Sequence, residues 1–387
     1  MPADAPTCST QCVDRDVAGL SPIRARLDFV TARNFKMTGH PRKTAPVFVL
    51  GCPRSGTTLL YDMLLSAGGF AVYLAESNVF NVLALRFGDL GERSNRQKLL
   101  RVWLGSKLFR ATGLDARQIE KKILEECGHA GDFLSIVMNE VARTQGMQRW
   151  AENSPETLLH LPLVKKLIPH ALVIHIVRDG RDVATSLEKL RYVRPFPWEE
   201  RQNLIGAGVY WEWLVERGRA CAALLGPDYM EVRFEDLIAS PQHTLDKVGQ
   251  FIDQELDYER IRQVGYGSVS QPNTSFKAES QKGSFTPVGR WKKSFSPAQL
   301  SRFEIIVGKT LRELGYAPAT RGAGEHVSRD LEATRFIYRS YFEAKLWFKC
   351  NSAMRAIRPA LTSAEIDASV LGEDHPPQIR QPLSGLT

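Results

Sequence analysis

The period of apolar and polar positions changes along the chain. Val47 to Leu50 (VFVL) is a short unbroken apolar run that meets the turn-rich GCPRSG; TTLLYDMLLSAG then takes up helical spacing through Leu60, Met63, Leu64 and Ala67. The pattern predicts a strand, a glycine loop and a helix in succession. From Glu76 to Met147 the apolar positions recur every three or four residues, through NVFNVLALRF, KLLRVWLGSKLF and DFLSIVMNEVA, which predicts helices. Strand character returns in ALVIHIV, Ala171 to Val177, followed by the turn RDGRD and the helical VATSLEKL, and again in YMEVRF, Tyr229 to Phe234. Strands alternating with helices predict an α/β fold of three layers, α/β/α, around a central, mostly parallel sheet spanning residues 46–320. No internal repeat suggests a solenoid.

The two ends read differently. Residues 1–45 carry little sustained apolar pattern and close on the basic, proline-containing HPRKTAP, so they are expected to be an arm or linker. Residues 321–387 begin with RGAG, continue as RDLEATRFIYRSYFEAKLWFKC and end in a proline-rich polar tail, an expected helical extension. Its stripe of Ile337, Tyr341, Ala344 and Phe348 predicts packing on the main domain. A homodimer contact or a peripheral membrane contact through residues 335–350 is the alternative.

Composition narrows the partners. Of 387 residues 24% are charged, and 51 Lys and Arg against 43 Asp and Glu leave a formal charge of +8, which favours an anionic partner or substrate. The basic run from Arg86 to Lys122 reads as solvated helix faces, without the aromatic-basic interleaving on a sheet face expected of a nucleic-acid binder, so nucleic acid is not expected as a partner. Six scattered cysteines show no zinc-ligand spacing and read as reduced thiols. The start of the sequence lacks a basic, then apolar, signal pattern, and no long uncharged apolar run occurs; a cytoplasmic location is expected.

Two constellations lie where strands end, and a third follows later. Gly51-x4-Gly56, between strand and helix, has the spacing of a phosphate-binding loop, so the fold is expected to be of the P-loop type. Where such loops in kinases place Lys, this chain has Thr57, followed by Thr58, and its cation, Arg54, sits inside the loop. A loop without that Lys is poorly equipped for γ-phosphoryl transfer, and a P-loop nucleotide or small-molecule kinase is the second reading. VRDGRDVATS ends the strongest strand, where ligands of open α/β sheets gather; Arg178 can fork onto a phosphate and Ser186 can add a hydroxyl. Asp179 and Asp182 are expected to cap the helix and pair with Arg181. KGSFTPVGRWKKSF, Lys282 to Phe295, has the composition of a basic flap carrying one aromatic ring that could lie against a base.

These three segments in order, with ENSPETL (Glu152 to Leu158) and RFEDLIASPQHTL (Arg233 to Leu245) between them, resemble the sulfotransferase superfamily that uses 3′-phosphoadenosine 5′-phosphosulfate (PAPS). The likeness spans about 47–316 and is greatest to the bacterial and tyrosylprotein-type branch, which has Arg in the loop. The resemblance implies transfer of a sulfuryl group from PAPS to a hydroxyl acceptor, small molecule, glycan, lipid or peptide, leaving PAP, with no metal. It implies that Arg54 and the backbone of Ser55, Gly56, Thr57 and Thr58 hold the sulfate and 5′-phosphate. Arg178 and Ser186 match the 3′-phosphate ligands, and Lys282, Arg290 and Trp291 would close over the nucleotide. Glu76 lies near the branch's catalytic glutamate, with His160 as substitute base. Two positions depart from the pattern: Asn153 stands where relatives often have Lys, so that cation is either missing or supplied by Lys282 or Lys292, and Phe234 stands where cytosolic relatives have Tyr.

Overall fold

A computed structural model describes residues 42–194, 196, 204–275, 286–320, 329–357 and 360–368. Four parallel strands form one sheet in the order β2-β1-β3-β4: β1 is Val47–Leu50, β2 Ala151–Glu152, β3 Leu172–Val177 and β4 Tyr229–Arg233. The three expected strands are present. Sequence pattern does not reveal β2, because two residues are too few to show a period of two.

Register decides the layers. Val47 pairs with Leu172 and Leu50 with His175, while Val173 pairs with Tyr229 and Val177 with Arg233. Alternate residues point to opposite faces, so Phe48, Leu50, Val173 and Val177 enter one core, and Val47, Val49, Leu172, Ile174 and Ile176 enter another. The sheet is therefore apolar on both faces, and its strands read as unbroken apolar runs. On the second face lie α1 (Thr57–Ala67) and α5 (Pro241–Ile252). On the first lie α2 (Ala130–Thr144), α3 (Gly180–Lys189), the Trp-rich α4 (Leu204–Ala220) and α6 (Pro297–Glu313).

Helix α7 (Arg329–Cys350) packs on α4, but through a different face from the one the sequence suggests. Leu331, Tyr338 and Phe342 are its buried residues, whereas Ile337, Tyr341 and Phe348 are 39%, 43% and 38% exposed. Charge sets the rotation. Arg335 donates to Glu212 at 2.9 Å, Arg339 meets Glu216 at 2.6 Å, and Glu343 accepts from Trp213 Nε1 at 2.7 Å and from Arg217. Glu212 is fully buried, so turning the apolar stripe inward would strand a charge in the core.

Candidate functional site

The loop after β1 is shaped by backbone constraint. Arg54 (φ 74°) and Gly56 (φ 99°) both take left-handed conformations. A Cβ on Gly56 would also lie 2.3 Å from the Phe234 ring, so only glycine fits there. Gly56 is the N-cap of α1 and offers no side chain, which leaves the first-turn N–H groups of Thr57 and Thr58 uncapped.

At the ends of β1 and β3 this loop meets the next strand's turn. Arg54 Nε donates to Ser186 Oγ at 3.0 Å and its Nη2 donates to Asn273 O at 3.2 Å. Arg178 Nη1 donates to Arg54 O at 2.9 Å and Nη2 donates to Pro287 O, while its guanidinium lies 4.4 Å from the Phe234 ring centre. Neither arginine forms an ion pair among the described residues. Burial, and secondarily Arg178, lowers the pKa of Arg54; burial lowers that of Arg178 against the pull of Asp182, Glu235 and Asp179. Among the described residues, the buried Arg178 Nε and Ser55 Oγ have no hydrogen-bond partner. These groups border a cavity of about 390 Å³ lined by Arg54, Gly56, Thr57, Thr58, Arg178, Ser186 and Arg290 and floored by Phe234. Two guanidiniums beside uncapped helical N–H groups suit a multiply charged anion.

The expected flap behaves differently. Trp291 does not line the cavity: it is 8% exposed and its ring stacks on the Arg181 guanidinium at 4.1 Å. Arg181 is fixed by Asp179 at 2.8 Å and Glu304 at 2.7 Å, so the indole completes a buried ionic cluster. Asp179 caps α3 and pairs with Arg181 as expected, but Asp182 accepts from Gly289 N at 2.7 Å and Trp291 N at 2.9 Å, tying the flap to α3. Lys292 is exposed, with Nζ 5.8 Å from the Trp291 ring centre, and is not among the cavity's lining residues. Lys282 lies outside the described residues.

Glu76 and His160 belong to a second cluster, on the other side of the loop. Burial pushes the Glu76 carboxyl up to about 8, reinforced by Glu152 and Glu156. Glu152 accepts from Ser77 Oγ at 2.7 Å and from Ser154, and Asn153 beside it is buried with Oδ1 unpartnered. Burial pushes His160 down to about 4, helped by Lys349 and opposed by Glu156, so the imidazole is neutral at ordinary pH. Glu156 accepts from Tyr210 at 2.7 Å and Tyr192 at 3.2 Å; burial would raise its pKa, but Lys349, Tyr210, Lys345 and Tyr192 together lower it. Glu156, Tyr192 and Tyr210 line a second cavity of about 360 Å³, closed by Tyr341, Phe342, Lys345 and Lys349 of α7. Glu156 also raises the thiol pKa of Cys52, a residue of the phosphate-type loop, after burial itself. Electrostatically, the second cavity's carboxylate is therefore felt in the loop that borders the first.

Sequence reasoning did not single out Glu156, Tyr192, Tyr210, Lys345 or Lys349. Glu156 sits in the flagged ENSPETL, and Lys345 and Lys349 stand one helical turn apart, but only packing shows that they share a chamber.

A family model described as the sulfotransferase family matches residues 46–258. The protein-tyrosine sulfotransferase 1 of Danio rerio is 23% identical over 319 residues, covering 80% of this chain and 83% of its own. Among solved structures, the sulfotransferase domain of the Synechococcus PCC 7002 olefin synthase is 18% identical, covering 74% of this chain and 99% of its own, with a TM-score of 0.49. A mouse sulfotransferase complexed with PAP is 15% identical, covering 71% and 88%, with a TM-score of 0.40.

Proposed function

Because the chain belongs to the sulfotransferase family, and so is an enzyme of sulfuryl transfer, we propose that its donor is PAPS, held in the first cavity, and that the acceptor is a hydroxyl compound held in the second. The observation that carries this reading is the pair Arg54 and Arg178, sunk in one wall without an ion pair among the described residues and beside the uncapped start of α1. The orphaned Arg178 Nε and Ser55 Oγ are the donors that phosphate oxygens would satisfy. When bound, PAPS supplies the activated sulfuryl group.

Within this assignment Arg54, the Ser55 hydroxyl and the N–H groups of Gly56, Thr57 and Thr58 hold the 5′-phosphate and stabilise the charge that develops on it as the sulfur–oxygen bond breaks, while the Ser55 N–H donates to Cys52 O and fixes the loop. Arg178 and Ser186 hold the 3′-phosphate, which distinguishes the donor from ATP. Arg290 borders the same cavity; Trp291 acts indirectly, by anchoring the flap. Glu76 takes the acceptor's proton as the hydroxyl oxygen attacks, and its raised pKa gives the carboxylate enough basicity to do so. His160, neutral and buried beside Lys349, is the substitute base. No step requires a metal: Arg54 and the loop amides supply the charge that magnesium supplies in kinases, whose loop Lys is replaced here by Thr57.

The catalytic body on this reading is residues 46–320, with 1–45 as an arm and 321–387 as an extension that lends α7 to the acceptor chamber. No helix among the described residues is long and apolar enough to cross a membrane. A cytoplasmic setting is part of the proposal, resting on the reduced thiols of Cys52, Cys127 and Cys221.

Calorimetric titration tests the donor assignment with PAP, with ATP plus magnesium, and with 5′-AMP. Tight binding of PAP alone, unaffected by EDTA, is expected. Equal affinity for PAP and 5′-AMP would remove the 3′-phosphate assignment, and tight magnesium-dependent ATP binding would revive the kinase reading.

A further inference from the structure

Among the described residues, the second cavity is lined by more cations than carboxylates. Three cations border it, Arg194, Lys345 and Lys349, against Glu156. Both Glu156 oxygens are already engaged: Oε1 by the two tyrosine hydroxyls, and Oε2 by Lys349 Nζ at 3.5 Å, a long contact. Among the described residues Lys345 has no ion pair of its own. Although the residue is exposed overall, partial desolvation is the first cause of its lowered pKa, followed by Lys349, against the opposing pull of Glu156, with Arg194 adding to the lowering. Lys345 and Arg194 are exposed and stand at the mouth, whereas Tyr210 is buried; Glu76 is not among the cavity's lining residues, but its charge reaches Tyr192 of the wall and raises that phenol's pKa. The walls are aromatic, formed by Trp213, Tyr341 and Phe342 among others.

We propose, resting on the assignment of this chamber to the acceptor, that the acceptor is a small molecule with an aromatic or apolar body, a hydroxyl at one end and a carboxylate or similar anionic group at the other. Glu76 meets the hydroxyl, the aromatic walls hold the body, and Lys345 with Arg194 receives the anion. A volume of about 360 Å³ is at the lower end of the range that encloses small ligands and leaves little room for a peptide backbone. Three neighbouring cations share one carboxylate among the described residues, and a bound anion would relieve their mutual repulsion, so the charge selects the ligand as well as attracting it. Lys345 and Lys349 lie outside the matched family segment of residues 46–258, so this selectivity is a property of the extension.

The test uses the full chain saturated with PAP, so that binding is read without turnover. The probes are 3-(4-hydroxyphenyl)propionate, its carboxamide of equal size, and a tyrosine-containing acidic peptide, each titrated by calorimetry. The acid should bind about five- to tenfold more tightly than the amide, the advantage of one partly screened charge pair. Lys345→Gln should bring the acid down to the amide's affinity, and Lys345→Glu should reverse the order. PAP affinity should be the same in both variants, which separates this idea from the donor assignment. Equal affinity of acid and amide in the wild-type chain, or no binding of either, overturns the proposal while leaving PAP binding intact. Tighter binding of the peptide than of the acid overturns the small-molecule acceptor and gives the cations to a peptide. Failure of PAP itself to bind would instead overturn the donor reading.

Discussion

Replacing Arg178 with alanine should weaken PAP binding far more than binding of 5′-AMP. Its guanidinium is held at the cavity wall by two carbonyls, Arg54 O and Pro287 O, and by the face of Phe234, leaving Nε buried and unpartnered. The side chain is therefore preorganised, and little entropy is lost when it meets an anion. A forked, charge-assisted contact to phosphate in such a wall contributes about 2 to 4 kcal/mol, or roughly 30- to 700-fold in Kd. The substitution also frees Arg54 O, which relaxes the loop and should weaken any nucleotide, but by a smaller and shared factor. The ratio of PAP to 5′-AMP affinity isolates the 3′-phosphate from that relaxation. Calorimetry of wild type, Arg178→Ala and Arg178→Lys with both nucleotides gives the ratio; the lysine variant should fall between, keeping charge without the fork. Thermal melting without ligand should show that all three are folded. If Arg178→Ala weakened both nucleotides by the same factor, the arginine would be a loop brace and the 3′-phosphate would need another site.

Glu76→Gln should lower kcat by about 10² to 10⁴ with PAP affinity nearly unchanged, and the wild-type kcat should rise with pH through about 8 as the carboxylate forms; near-normal turnover, with collapse in His160→Gln instead, would move the base to the histidine. The same shift affects stability: the folded chain keeps the Glu76 proton up to about 8 while the unfolded chain loses it in the ordinary carboxylate range, so stability falls as pH rises between the two. Glu76→Gln should therefore raise Tm at pH 8 and not at about pH 4, and an equal change at both would contradict the raised pKa. Turnover should survive EDTA; strict magnesium dependence would oppose the Arg54 assignment. Arg181→Ala should cost about 3 to 5 kcal/mol in urea unfolding, because it strands Asp179 and the fully buried Glu304 and removes the support of Trp291; a loss below about 1 kcal/mol would show that the cluster is wet.

The amino-acid sequence by itself determined the strand-loop-helix unit around Gly51 to Thr58, the second strand-turn-helix at Val177 to Ser186, and the parallel sheet that joins them. Those features are local: period, glycine placement and strand-end chemistry are written in neighbouring residues, and strands buried on both faces leave unbroken apolar runs such as VFVL and LVIHIV. Tertiary structure decided what depends on distant partners. Trp291 looked like a free ring in a basic loop, yet Arg181, Asp179 and Glu304 make it part of the interior. The α7 stripe looked like a packing face, yet the ion pairs of Arg335 and Arg339 with Glu212 and Glu216 turn it outward, because a buried carboxylate needs its cation more than an aromatic ring needs cover. Glu156, Tyr192, Tyr210 and Lys349 form one chamber although 193 residues separate the first from the last. No sequence period joins such residues; the pairing of β1 with β3 and the docking of α7 on α4 do, so the elements around the cavity proposed for the donor were legible in the chain and the chamber proposed for the acceptor only in the fold.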